Sequence, residues 1–138
     1  MREIDKIIIH CTATKEGRRT SIEEIEQWHK EKGFKSIGYH YVIYLNGRVK
    51  NGRPVSEIGS HCKGYNKNSI GICYVGGLDK EGKPKDTRTD EQKESLLVLL
   101  DILKKEFPNA EVCGHNEFAE KDCPCFNVKE EYKKYNIS

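Results

Sequence analysis

Two histidines and one cysteine are the residues of this sequence best suited to hold a catalytic metal. His10 stands at the end of the isoleucine-rich run 4–9, His115 follows a second apolar segment, and Cys123 comes eight residues later. Ligands of open α/β sheets collect just beyond strand ends, so we expect both histidines at one edge of a sheet. Two imidazoles and a thiolate suit zinc, and three protein ligands leave the fourth tetrahedral position open, as in catalytic zinc sites.

The spacing of these three residues leaves other chemistries open. The sequence contains neither the closely paired ligands of a zinc finger nor a His-Glu-x-x-His helix. A cysteine hydrolase could use Cys11 or Cys123 with a histidine base. A small structural zinc domain of a regulatory complex is a further alternative.

The elements that must position these residues alternate between strands and helices. Strands are predicted at 4–9, 37–45, 48–51, 69–75 and 110–114. Helices are predicted at about 21–32, between Thr89 and Phe107, and at about 128–135; the first two begin with capping boxes. Asn46-Gly47 predicts a hairpin turn. The pattern predicts one α/β domain over residues 1–138, with a central mixed sheet of about five or six strands flanked by helices.

Side-chain patterns predict which residues of two elements share a face. Alternation in segment 37–45 predicts one face made of Tyr39, Tyr41, Ile43 and Leu45. The helical spacing of the long helix predicts an apolar stripe made of Leu96, Leu97, Leu99, Leu100 and Leu103.

Composition limits the partners and the compartment. The 24 basic and 22 acidic residues give a net charge of +2, which is too balanced for a nucleic-acid-binding protein. No segment is long and apolar enough for membrane insertion, and no signal peptide precedes the first strand. We therefore expect synthesis in the cytoplasm, and we also expect a monomer. Most of the six cysteines should be reduced, with Cys62, Cys73 and Cys113 buried as small hydrophobic residues.

Five segments occur in order between about residue 4 and about residue 128. They are 7–14 (IIIHCTAT), 38–43 followed by Asn46-Gly47, 59–71 with its Gly-Ser-His and Gly-Tyr-Asn motifs, 114–116 (GHN), and 121–124 (KDCP). Together they resemble the type-2 N-acetylmuramoyl-L-alanine amidases, a family that includes phage lysozyme-type amidases and peptidoglycan recognition proteins. The resemblance implies a zinc amidase or peptidoglycan-recognition-like fold.

The resemblance also implies a site and an activity. One Zn²⁺ ion would be held by His10, His115 and Cys123. Catalytic roles fall to Tyr39 and Lys121, and substrate contacts to His61 and Asn66. Tyr39 is suited to orient water or relay a proton, and Lys121 to stabilise an oxyanion. Cys125 departs from the expected small or polar residue, and it could compete for the metal or be oxidised together with Cys123.

The implied reaction is zinc-dependent hydrolysis of the amide between N-acetylmuramic acid and L-alanine in bacterial peptidoglycan, as in endolysins. Because no leader is predicted, the protein would act on the cell wall after release by another factor. The alternative within the same superfamily is a non-catalytic peptidoglycan-binding module. Such modules typically lack the cysteine ligand, so Cys123 favours catalysis.

Overall fold

A five-stranded mixed sheet forms the centre of the fold. The computed structural model describes residues 2–136. The strands are β1 (Lys6–Cys11), β2 (Thr14–Lys15), β3 (Tyr41–Ile43), β4 (Val49–Asn51), β5 (Ser69–Tyr74), β6 (Gly77–Leu78) and β7 (Glu111–Gly114). The helices are α1 (Ile22–Glu31), α2 (Asp90–Glu106) and α3 (Val128–Glu131), with 3-10 turns at His115–Glu117 and Lys133–Asn136.

The strand order of the large sheet is β4-β3-β5-β1-β7. Only the β3–β4 hairpin is antiparallel, and the other neighbours are parallel. Strands β2 and β6 form a separate parallel pair. The predicted mixed α/β sheet of about five or six strands is confirmed, with five strands, and so is the hairpin at Asn46-Gly47.

The isoleucine run makes β1 a central strand that is buried on both faces. Ile7, Ile8 and Ile9 have no exposed surface. Ile7 and Ile9 pack in the main core with the leucines of α2, whereas Ile8 faces the other side of the sheet. A β-branched run without alternation is typical of such a doubly covered strand. Burial fixes the register of β1, and hence where His10 lies.

The long helix α2 covers the main core through four leucines. Its capping box is formed by Thr89 and Gln92, as the sequence predicts. Leu96, Leu99, Leu100 and Leu103 are buried, whereas Leu97, the fifth member of the predicted apolar stripe, is 38% exposed. Each helical residue turns by about 100°, and Leu97 therefore falls beside the line formed by the other leucines.

The first helix and the segment before β3 enclose a second, smaller core. The predicted capping box of Ser21 and Glu24 begins α1, and Ile25 packs against Ile37, Val42 and Val75. Tyr39 joins this smaller core, whereas Tyr41 and Ile43 belong to the main core, so the prediction that they share one face was wrong. The regular strand begins only at Tyr41, and the alternation therefore does not extend back to residue 39.

The carboxy-terminal segment closes the far edge of the sheet. The helix predicted at 128–135 is divided into α3 and the final 3-10 turn. The guanidinium of Arg88 is fully buried and pairs with Asp86 and Glu131, which ties the loop before α2 to α3. Cys62, Cys73 and Cys113 are buried, as predicted. Among residues 2–136, no helix has the length and apolar character needed to cross a membrane.

Candidate active site

Donor atoms of His10, His115 and Cys123 converge at one edge of the sheet. One ligand atom from each lies within 4.8 Å of the other two, and the Nδ1 atoms of the two histidines are 3.2 Å apart. Two nitrogens bound to one tetrahedral zinc ion at about 2.0–2.1 Å lie about 3.3 Å from each other. The donor types and their spacing therefore fit a single zinc ion.

The parallel register of three strands brings these residues together. β1 lies between β5 and β7, and Ile9 pairs with Gly114, so His10 and His115 occupy the next position along neighbouring chains. The loop that carries Cys123 is anchored to β5, because the Tyr74 hydroxyl donates a 2.6 Å hydrogen bond to the carbonyl of Pro124. The backbone N–H of Cys11 donates a hydrogen bond to Cys123 Sγ at 3.2 Å, which ties this loop to β1 as well.

Burial keeps both histidines of the site neutral. Desolvation, followed by the neighbouring His61 and His115, holds the pKa of His10 well below its usual 6.5. Desolvation and the charge of Lys121 lower the pKa of His115. Since metal ligation requires an imidazole lone pair, both side chains are in the ligating protonation state at neutral pH.

His61 lies behind His10 and is only 9% exposed. Its Nδ1 is 2.8 Å from His10 Nε2, and its Nε2 is 3.1 Å from the hydroxyl of Ser69. With Nε2 occupied, His10 presents Nδ1 to the other ligands. Asn66 supports the same loop, because its Oδ1 accepts hydrogen bonds from the backbone N–H groups of His61 and Cys62. Their predicted contacts with substrate remain predictions.

Tyr39 stands beside the ligands on the side of the smaller core. Its ring centroid is 5.2 Å from that of His10 and 5.1 Å from that of His29. A Cβ at Gly38 would lie 2.0 Å from the carbonyl oxygen of Ser60, so only glycine lets these two segments approach closely enough to place Tyr39 here. Burial raises the pKa of Tyr39 well above 10, and the phenol stays protonated at neutral pH.

A groove of about 760 Å³ runs past these groups. Its lining includes Tyr39, His61, Asn66, His115 and Lys121. Lys121 is exposed, and its ammonium makes no hydrogen bond or ion pair with any residue between 2 and 136. The structure thus brings all of the predicted site residues to one groove or directly behind it.

Two contributors were not predicted from the sequence. Ser69 was assigned only as the first residue of a strand, although a hydroxyl at the start of an otherwise apolar buried strand is a weak signal of a polar contact. His29 packs against Tyr39, and its Nδ1 also accepts the backbone N–H of Gly38 at 2.8 Å. Sequence spacing carried no signal of that bond.

The remaining cysteines near the site do not join the ligand cluster. Cys125 Sγ lies 3.1 Å from the carbonyl of Gly77 and 4.0 Å from Cys11 Sγ, which places it beside Cys11 in the main core. A hydrogen bond with Cys123 and burial raise the pKa of the Cys11 thiol. Because a nucleophilic cysteine must form a thiolate readily, this environment disfavours Cys11 as a nucleophile.

Comparison with known proteins identifies the family. The sequence model of the N-acetylmuramoyl-L-alanine amidase family matches residues 1–126. The endolysin of Escherichia phage T7 is 45% identical over 133 residues, which cover 96% of this chain and 88% of the relative.

Solved structures agree with this match. The N-acetylmuramoyl-L-alanine amidase LysC from Clostridium intestinale superimposes with a TM-score of 0.83 at 26% identity, covering 99% of this chain and 88% of that one. Bumblebee peptidoglycan recognition protein SA gives a TM-score of 0.79, also at 26% identity, over 96% and 82% of the two chains. The chain belongs to the N-acetylmuramoyl-L-alanine amidase family, with the fold shared by endolysins and peptidoglycan recognition proteins.

Proposed function

We propose that this amidase holds one zinc ion through His10, His115 and Cys123 and uses it to hydrolyse the amide between N-acetylmuramic acid and L-alanine in peptidoglycan. The convergence of two neutral imidazoles, 3.2 Å apart, and one thiol beside an open groove carries the proposal. When bound, zinc lowers the pKa of water and polarises a carbonyl, which are the two requirements of amide hydrolysis at neutral pH.

Two side chains of the groove supply the remaining chemistry. The phenol of Tyr39 is a protonated donor next to His10, suited to orient water or to pass a proton at its Oη. The ammonium of Lys121 donates charge-assisted hydrogen bonds to the oxyanion that develops on the scissile carbonyl. A groove of about 760 Å³, which both side chains line, has room for a muropeptide.

Digestion of defined muropeptides, with products read by mass spectrometry, tests the proposed reaction. We expect release of the stem peptide with a new amino-terminal L-alanine, loss of that product with a chelator, and recovery with added zinc. Binding of muropeptides without any cleavage would instead support a non-catalytic peptidoglycan-binding module. Zinc retention with intact walls would support a structural zinc domain, and chelator-resistant cleavage would support a cysteine hydrolase.

The cellular role follows from the same proposal. The protein would act on the cell wall after its release, as a monomer that needs neither nucleic acid nor membrane insertion. The similarity to the endolysin of Escherichia phage T7 supports a lytic role. Size-exclusion chromatography with light scattering tests the monomer, and a fall in turbidity of purified walls tests lysis.

A further inference from the structure

We propose that His61 is a positioning residue that, together with Ser69, fixes the metal ligand His10 with Nδ1 facing the ion. The inference rests on the zinc site proposed above and changes the role predicted for His61 from the sequence. Three side chains form one line into the protein: His10 Nε2 lies 2.8 Å from His61 Nδ1, and His61 Nε2 lies 3.1 Å from Ser69 Oγ.

When a metal is bound, the positions of the protons fix which group donates in each of these two hydrogen bonds. Ligation through His10 Nδ1 requires a lone pair there, so the proton of the neutral ring is on Nε2 and is donated to His61 Nδ1. His61 must then carry its own proton on Nε2 and donate it to the hydroxyl of Ser69. The opposite direction would place a proton on His10 Nδ1, where it would exclude the metal. With the metal bound, His61 accepts from His10 and Ser69 accepts from His61, and this pair of hydrogen bonds holds His10 in the ligating tautomer.

The backbone holds the His61 ring in a tight slot. A Cβ at Gly71 would lie 2.6 Å from Cγ of His61, and a Cβ at Gly59 would lie 2.8 Å from its Cδ2. The amide side chain of Asn66 also binds the backbone N–H of His61 at 2.9 Å. With the backbone of these two glycines close against the ring, His61 has little freedom to turn. It can therefore orient His10 before any metal arrives.

The same geometry argues against a main role in holding substrate. His61 borders the groove, but both of its ring nitrogens are engaged inside the protein and only 9% of the residue is exposed. Ser69, at the other end of the line, has no exposed surface. A group whose donors and acceptors are used internally can support a ligand better than it can bind a sugar or a peptide.

Zinc affinity, measured by competition with a chromophoric chelator, tests this role. His61→Leu keeps bulk but removes the acceptor for His10, and we expect zinc binding to weaken by about 10- to 100-fold. His61→Asn keeps an acceptor near the position of Nδ1, so its zinc affinity should stay closer to that of the wild-type protein. Ser69→Ala leaves the tautomer of His61 unanchored and should weaken binding by less than His61→Leu, about 3- to 10-fold.

A control variant and a second measurement distinguish this positioning role from a general effect of changing the loop and from a substrate contact. Lys63→Ala removes an exposed side chain of the same loop and should leave zinc affinity unchanged. The visible spectrum of the cobalt-substituted protein should shift in His61→Leu, because the geometry of His10 relaxes, and should not shift in Lys63→Ala. A substrate contact at His61 would instead raise KM while zinc affinity and the cobalt spectrum stay as in the wild type.

The outcomes distinguish this inference from the proposed function. If the wild-type protein fails to bind zinc, the proposed function is wrong. If the wild type binds zinc and His61→Leu binds it equally tightly, only the positioning role is overturned. Should His61→Leu fail to fold, Ser69→Ala decides, and wild-type zinc affinity in that variant overturns the proposal.

Discussion

Replacing Lys121 by methionine tests whether its charge acts in catalysis. The substitution keeps most of the aliphatic stem and removes only the ammonium. Because the side chain is exposed and makes no polar contact within residues 2–136, its loss should change the free energy of unfolding by less than about 0.5 kcal/mol. A preorganised oxyanion donor contributes about 100- to 1,000-fold in kcat, or about 2.7–4 kcal/mol. Since Lys121 borders open solvent, we expect the lower end, about 100-fold.

Replacing Lys121 should affect zinc affinity in the opposite direction to the loss of a metal ligand. The charge of Lys121 is one of the causes that lower the pKa of His10 and of His115, so this ammonium repels positive charge at the site. Removing it should leave zinc affinity unchanged or slightly increase it. Loss of turnover together with loss of zinc would therefore contradict the assigned role.

The assay is steady-state hydrolysis of a defined muropeptide by the zinc-loaded protein, with zinc content measured on the same sample. Lys63→Met is the matched control, because it removes the same charge from another exposed lysine of the groove, and kcat should change by less than about threefold. Turnover of Lys121→Met at the wild-type level with full zinc would refute the reasoning.

Three further predictions concern the metal, the buried histidine His29 and the core. Cys123→Ser should lose zinc and activity together, and full zinc retention in this variant would remove Cys123 from the ligand set. Wild-type protein treated with a chelator should unfold at a lower temperature, because zinc at 100 times its Kd adds about 2.7 kcal/mol to the free energy of unfolding. Burial lowers the pKa of His29 in the folded protein from 6.5 to about 4. As pH falls through this range, His29 is protonated in the unfolded chain before it is protonated in the folded protein, so the free energy of unfolding decreases between pH 6.5 and pH 4. His29→Asn, which can still accept from Gly38, should therefore lose stability less steeply between pH 6.5 and pH 4 in denaturant titrations; parallel curves would contradict this. Leu100→Ala should cost about 2–5 kcal/mol in the same titrations, whereas Leu97→Ala, at a half-exposed site, should cost clearly less.

Local signals were sufficient for the elements that position the site. The isoleucine run predicts a doubly buried strand, and the two capping boxes predict where α1 and α2 begin; each signal lies within a few residues of the structure it specifies. For two elements, the sequence was less informative about which residues share a face. Tyr39 lies just before a strand that starts at Tyr41, and no local pattern marks that boundary. Leu97 has the same residue type as its buried neighbours, and only packing reveals that it lies at the edge.

The convergence of the metal ligands depends on contacts between distant parts of the chain. His10 and His115 are 105 residues apart in sequence, yet their ring nitrogens are 3.2 Å apart. The strand ends alone predict a shared edge, and the ordered family segments supply the identity of the third ligand, Cys123. Which nitrogen of each ring faces the metal is a separate question, because it depends on the partner of the other nitrogen.

His61 shows why a residue can be placed correctly while its role is not. The loop motif around His61 predicts proximity to the groove, and the structure does put it there. Its orientation, however, follows from contacts with two elements of the sheet, His10 on β1 and Ser69 at the start of β5, and from the absence of a side chain at Gly71. All three lie outside the loop itself. These contacts use both ring nitrogens of His61. The orientation of the ring therefore argues that His61 supports the metal ligand His10 rather than the substrate, a distinction that its position in the loop could not make.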